Sequence, residues 1–170
     1  MRRGSGFGSA LLLVVAAVIL LRPWEEGAGS GKPGPPAAPA EVVRVVDGDT
    51  FEARIDGEVE DVRLIGVDTP ETVEPGAPVQ CFGPQASGFA HRALEGRRVR
   101  LVFGVERRDA YGRLLAYAYI RHGFVNAMLL RRGLARTLTI PPNTRHSALF
   151  DRLELGAARA GRGLWGACST

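Results

Sequence analysis

Lysine is almost missing from this chain: Lys32 is the only one, and the other basic side chains are arginines and three histidines. Cysteine is nearly as scarce. Cys81 and Cys168 stand alone, and neither sits in a CxxC pair or a paired His–Cys spacing, so a structural zinc site is disfavoured. His91, His122 and His146 lack ligand spacing to one another and read as helix-face or loop-surface side chains. No internal repeat is evident, which sets aside solenoid and propeller architectures. The longest apolar run, residues 10–21, is about a dozen residues, short of the roughly twenty that a spanning helix needs.

The 170 residues leave room for one domain plus a leader or tail, and a 45% hydrophobic content argues against disorder of the whole chain. A net charge of +4 suggests an anionic partner, either nucleic acid or a membrane surface. A genome that writes arginine for lysine accounts for the basic residues equally well, so charge alone decides nothing. Arg2 and Arg3 ahead of the apolar run have the layout of an export signal. No small-x-small cleavage site abuts the run, so residues 1–23 are expected to be a signal peptide or an uncleaved signal anchor, with membrane anchoring through residues 10–21. Residues 24–40, rich in Gly, Pro and Ala, read as a linker, and residues 41–170 as the folded domain. That domain is expected outside the cytoplasm, secreted or anchored. In such a compartment the even cysteine count favours a Cys81–Cys168 disulfide, closing a loop of roughly ninety residues and contributing about 2–4 kcal/mol. A monomer is expected.

Within the domain, residues 42–46 form a β-branched run closed by Asp47-Gly48, residues 50–55 alternate in part, and Asp56-Gly57 turns the chain again. Residues 59–67 read as a third strand, apolar on both faces toward its end. Residues 68–83 are proline-rich and aperiodic, a long loop of the kind that is usually functional or disordered. Pro84 opens a helix with Ala86, Phe89, Ala90, Ala93 and Leu94 on one face, ending at Gly96. Strands are predicted over 99–103 and 114–120, and helices over 126–132 and 144–160. This order is close to a five-stranded Greek-key barrel of the OB type carrying about three packed helices.

The side chains able to do chemistry lie in Asp47-Gly48-Asp49-Thr50 and in Arg63-Leu64-Ile65-Gly66-Val67-Asp68-Thr69-Pro70-Glu71. Taken singly, each segment is a turn or strand end with solvated carboxylates. Arg63 is harder to dismiss, because a guanidinium inside an apolar strand is costly unless an anion answers it. The meander can bring Asp49, Asp68 and Glu71 around one point with Arg63 beside it. Hard oxygens of this kind suit a divalent cation such as calcium. A cation there would polarise a phosphodiester, a carboxylate would activate water, and Arg63 with Arg113 would clamp the phosphate. A mutually satisfied salt-bridge cluster at a barrel rim fits the same residues, and physical chemistry alone leaves both readings standing.

These segments, together with Phe82-Gly83-Pro84-Gln85-Ala86, Asp109-Ala110-Tyr111-Gly112-Arg113, Val125-Asn126, Gly133-Leu134-Ala135 and Pro142-Asn143, resemble in order and spacing the staphylococcal nuclease-like (thermonuclease) family. The resemblance runs from about Glu41 to Trp165. It implies an OB-fold and calcium-dependent hydrolysis of DNA and RNA to products with a 3′-phosphate. It also implies Asp49 and Asp68 as side-chain calcium ligands, Thr69 as a backbone ligand, Glu71 as the carboxylate that activates water, Arg63 and Arg113 as the phosphate-binding arginines, and Tyr111 as a substrate contact. The family's best-known member carries tyrosines after Gly-Leu-Ala that help hold the nucleotide, whereas Arg136-Thr137-Leu138-Thr139-Ile140 has none, and a lysine expected beside Tyr111 is Ala110. Arg97-Arg98 and Arg131-Arg132 read as solvated side chains or as trackers of a phosphate backbone. The alternative to an enzyme is a non-catalytic OB-fold module that binds nucleic acid or anchors to the envelope.

Overall fold

The computed structural model describes residues 36–72, 76 and 78–168, so the leader and most of the expected linker lie outside the described residues. Three strands open the domain: β1 (Ala37–Val45), β2 (Thr50–Ile55) and β3 (Glu58–Leu64). Val42, Val45, Phe51, Ala53, Val62 and Leu64 point inward from them and are buried. Asp56 and Gly57 both have positive φ (51° and 95°), the backbone a two-residue hairpin requires, and Ile55 pairs with Glu58 across them.

A short β4 (Gly66–Asp68) follows, then α1 (Gly83–Leu94), the long β5 (Arg98–Arg108) and β6 (Leu114–Ile120). The sheet order β3-β2-β1-β5-β6 is closed by parallel pairing of β3 with β6, Val62 opposite Leu114 and Leu64 opposite Ala116. The result is a closed five-stranded barrel of OB type. β7 (Gly123–Phe124) turns back to pair antiparallel with β6, α2 (Val125–Arg131) follows it, and β8 (Arg136–Leu138) pairs with β4 to make a small second sheet. α3 (Ser147–Arg159) packs on α2, and a four-residue α4 (Leu164–Ala167) ends the described chain. α1 buries Ala86, Ala90 and Leu94, the i, i+4, i+8 stripe the sequence predicts.

Three boundaries differ most from expectation, and the helix expected over 144–160 starts later, at Ser147. β1 begins at Ala37, so positions 37–40 of the expected linker pair with β5, Ala37 opposite Val102. β5 runs to Arg108, well past the expected end at 103, as a polar extension. The single strand expected over 59–67 is broken at Ile65, whose N–H donates to the Ala116 carbonyl while Gly66 adopts φ +78°. A Cβ on Gly66 would lie 2.5 Å from the Phe150 ring, so only glycine fits this bend.

The bend is held from inside by Asn126, which is fully buried. Its Nδ2 donates to the Ile65 carbonyl at 2.8 Å, and its Oδ1 accepts from the Ala118 N–H at 3.0 Å. Asn126→Ala orphans both backbone groups, each at a cost of about 1–3 kcal/mol. A loss of about 2–3 kcal/mol in urea unfolding is the expected result, and Asn126→Asp should be no better tolerated, because its buried carboxylate would set an acceptor against the Ile65 carbonyl. Cys81 and Cys168 form a disulfide with Cα atoms 5.9 Å apart, as expected.

Candidate active site

The first turn is built by Asp47, whose Oδ1 accepts the N–H groups of Asp49 (2.9 Å) and Thr50 (2.8 Å). This Asx-type closure leaves the next carboxylate free to turn inward. Asp49 is 4% exposed. Its Oδ2 accepts the Thr69 N–H at 2.7 Å and the Thr69 hydroxyl at 2.9 Å, and its Oδ1 accepts the Thr50 hydroxyl at 3.2 Å. Gly48 lets the turn press this close, since a Cβ there would meet the Thr69 side chain at 2.7 Å. The two acidic segments recognised in the sequence, twenty residues apart, are thus in direct contact.

Arg63 joins them. One guanidinium nitrogen lies 3.0 Å from Asp49 Oδ2 and donates to the Val67 carbonyl at 2.8 Å, while the other donates to Asp68 Oδ1 at 3.0 Å. The anion that a guanidinium in this strand demands is therefore supplied by both carboxylates. Burial pushes the Asp49 carboxyl up to about 7, with Arg63 and the Thr69 bonds pulling against it and Asp47 adding to the rise. Asp68, by contrast, has a side chain 55% exposed.

Arg113 and Tyr111 come from the turn between β5 and β6. Asp109, which sequence reasoning passed over, organises it: Oδ1 accepts the N–H groups of Tyr111 and Arg113 at 3.0 Å each, and Oδ2 accepts the Arg113 Nε at 2.7 Å. Partial burial works to raise the Asp109 carboxyl, but its bonds from Arg113 outweigh this and hold it below the usual range. The Asp-x-x-x-Arg spacing was the available signal. The Arg113 guanidinium lies 5.3 Å from the centre of the exposed Tyr111 ring. Arg63, Arg113 and Tyr111 line one cleft of about 350 Å³. Leu138 and Ile140 line it too, in the segment where the resemblance led us to look for tyrosines.

Glu71 is placed differently. Its backbone is clamped by Gln80, which accepts the Glu71 N–H at 3.1 Å through its side chain and donates its own N–H to the Glu71 carbonyl at 2.9 Å. The Glu71 carboxylate accepts the Thr72 N–H at 2.7 Å, and the residue does not line the cleft. The structure therefore joins Asp49, Arg63, Asp68 and Thr69 by contact, joins Arg63 with Arg113 and Tyr111 through the cleft, and leaves Glu71 near them by its position two residues after Thr69.

No cluster of three or more His, Cys, Asp or Glu side chains poised for a metal occurs among the described residues. The donor chemistry nevertheless fits a hard cation: two carboxylates and the Thr69 carbonyl are all oxygens, one carboxylate is buried and gains from added positive charge, and the other is open to solvent.

Fold and geometry place the chain among closed OB-type barrels, with an aspartate–arginine cluster where its first hairpin meets its third strand. Within that class, the chain belongs to the family of staphylococcal nuclease homologues, which it matches over residues 61–167. It is 40% identical over 158 residues to the thermonuclease of Staphylococcus intermedius, covering 91% of this chain and 94% of that one. It is 36% identical to the thermonuclease of Staphylococcus hyicus, over 92% of this chain and 96% of the relative. Over 72% of its length it is 39% identical to the SPbeta prophage-derived endonuclease YokF of Bacillus subtilis, covering 42% of that protein.

Proposed function

We propose that this chain is an exported, calcium-dependent nuclease that hydrolyses phosphodiester bonds of DNA, RNA or both and leaves a 3′-phosphate. The observation that carries the reading is the contact of Asp49, Arg63, Asp68 and Thr69 at the rim of a cleft that also holds Arg113. The names of the thermonuclease and endonuclease relatives support it. The Asp49 and Asp68 carboxylates and the Thr69 carbonyl would hold the cation, which supplies polarisation of the phosphoryl oxygen. Arg63 and Arg113 donate N–H bonds to the non-bridging oxygens as charge builds on them. Glu71 takes a proton from the attacking water. The water oxygen bonds to phosphorus, the P–O5′ bond breaks, the 5′ oxygen takes a proton from solvent as it leaves, and the phosphate stays on the 3′ side. Tyr111 and the apolar Leu138 and Ile140 would contact the nucleotide.

Residues 1–23 would direct export, as a cleaved signal or an anchor through residues 10–21, and the Cys81–Cys168 disulfide suits the oxidising side of a membrane. No helix among the described residues is long and apolar enough to cross a membrane. Arg63 bridging both carboxylates also favours a second reading, a structural cluster that binds calcium for stability alone.

The two separate in one experiment. Single-stranded DNA and RNA are incubated with the protein in calcium and again in excess chelator, and product ends are mapped. Calcium-dependent cleavage to 3′-phosphate ends, abolished by chelator, is expected. Intact strands under saturating calcium, with a melting temperature that still rises with the ion, would instead establish the structural reading.

A further inference from the structure

A second cationic feature lies at the other end of β6. Arg98 and Arg100 of β5 and Arg121 after β6 line an open groove of about 570 Å³, and all three are exposed. No carboxylate lines it, whereas the candidate active-site cleft includes Glu106 and Asp109 beside its arginines. Among the described residues none of the three makes an ion pair, while Arg44, Arg63, Arg108 and Arg113 are each answered by an acid. Glu41 on the neighbouring strand stands opposite Arg98 in register but makes no ion pair with it and lies outside the groove. Three unanswered guanidinium groups on one surface form a site for a polyanion.

The geometry says which part of the polyanion is read. Arg100, Tyr119 and Phe124 form a row across β5, β6 and β7: Arg100 pairs with Tyr119 and Tyr119 with Phe124. The Arg100 guanidinium lies 4.7 Å from the Tyr119 ring centre, and the Phe124 ring stacks on Tyr119 at 4.5 Å with planes 13° apart. Because β5 and β7 flank β6, the two cover opposite faces of the Tyr119 ring and leave none for a base. The Arg100 guanidinium lies over the ring and makes no hydrogen bond among the described residues, so its N–H groups remain available for phosphate oxygens. A nucleic acid held there would be gripped through its sugar–phosphate backbone, without regard to sequence. Tyr119 lies six residues beyond Arg113, about 20 Å along an extended strand. A strand of several nucleotides is needed to reach both sites.

We propose that this groove is a non-catalytic nucleic-acid exosite, which grips the backbone of long strands away from the point of cleavage. The proposal rests on the nuclease reading only for the identity of the polyanion. The test uses the full chain and the triple variant Arg98→Gln, Arg100→Gln, Arg121→Gln, with Arg92→Gln, Arg152→Gln, Arg159→Gln as a control of equal charge. Binding of 30-nucleotide poly(dT) and poly(U) is followed by anisotropy in chelator across a salt series, and cleavage of a trinucleotide and of the 30-mers is followed in calcium. Circular dichroism checks that each variant is folded.

The expected result is at least a tenfold weaker affinity of the groove variant for both 30-mers, and a log–log salt slope smaller by about 2, at roughly 0.7 per lost phosphate contact on a single strand. Trinucleotide turnover should be unchanged. Unchanged 30-mer affinity and slope overturn the proposal, as does equal weakening in the control variant, which would make the effect one of net charge. Failure of the unsubstituted protein to bind either 30-mer while it binds phosphatidylglycerol vesicles overturns it in favour of a membrane surface. If no substrate is cut by any protein but the groove variant alone loses strand binding, the exosite stands and the nuclease reading falls.

Discussion

Arg63→Gln should lower kcat/KM on single-stranded DNA by about 10³-fold or more and destabilise the fold, whereas Arg113→Gln should match the first effect without the second. Both arginines are proposed to donate to a phosphate whose charge grows in the transition state, where loss of one cationic donor typically costs about 10²- to 10⁵-fold. Their surroundings differ. Arg63 is the counter-charge of Asp49, which is almost fully buried, and removing one partner of such a pair leaves a carboxylate out of water with nothing to neutralise it. The general cost is about 3–5 kcal/mol. Here the lower end is expected near neutral pH, because burial already lifts the Asp49 carboxyl to about 7 and a proton can take the place of the lost arginine. Arg113 pairs with Asp109 four residues away in a partly exposed turn, a contact of the kind that contributes about 1 kcal/mol or less. Arg63→Lys keeps the charge but not the forked donor, so it should restore stability more fully than turnover. Urea unfolding and steady-state kinetics on the same preparations test this. An Arg113→Gln enzyme with ordinary turnover, or an Arg63→Gln protein as stable as the parent, would show that these groups do not have the roles assigned to them.

The contrast between these arginines explains what the sequence could and could not reveal. Arg63 was conspicuous because it interrupts an apolar strand, and a buried charge forecasts its own partner; of the three carboxylates forecast beside it, Asp49 and Asp68 are there at 3.0 Å. The hairpin at Asp56-Gly57 and the helix after Pro84 were legible for the same reason, since local chemistry dictates local geometry. The missed features depend on partners remote in sequence. Residues 37–40 look like linker, being Ala-Ala-Pro-Ala, and become strand only because β5 offers them a ladder. The break at Ile65 depends on Phe150 pressing over Gly66 and on Asn126 catching the released carbonyl, and neither can be inferred from an apolar run. Asp47 and Asp109 were named only as parts of a turn or motif, because a carboxylate that accepts backbone N–H groups in a turn looks like any solvated turn residue until its two bonds are seen. The contact of Asp49 with Arg63 was thus legible in the sequence, and the bonds by which Asp47 and Asp109 shape the two turns were not.

Removing the disulfide should cost both stability and activity, and the two losses have separate causes. Cys81 and Cys168 are 87 residues apart, so the cross-link restricts a large part of the unfolded chain, and loop-closure entropy puts its contribution at about 4 kcal/mol. The variant Cys81→Ser, Cys168→Ser should therefore melt roughly 10–15 °C lower than the parent in reducing-agent-free buffer. Dithiothreitol should bring the parent down toward the variant and leave the variant unmoved. The activity loss arises one residue away, at Gln80. The two bonds that fix the Glu71 backbone come from Gln80, so the bridge at Cys81 anchors the far side of the loop that carries the proposed base. Releasing that anchor should loosen Glu71 while leaving the Asp49–Arg63–Asp68 cluster, held by β2, β3 and β4, intact. A displacement of about 1 Å in a positioning group can cost up to about 10²-fold in rate. A fall in kcat of about tenfold, measured well below the variant's melting temperature and with KM little changed, is the expected signature. If kcat instead holds steady while stability drops, Glu71 is positioned without the bridge, and the disulfide serves the unfolded-state ensemble alone.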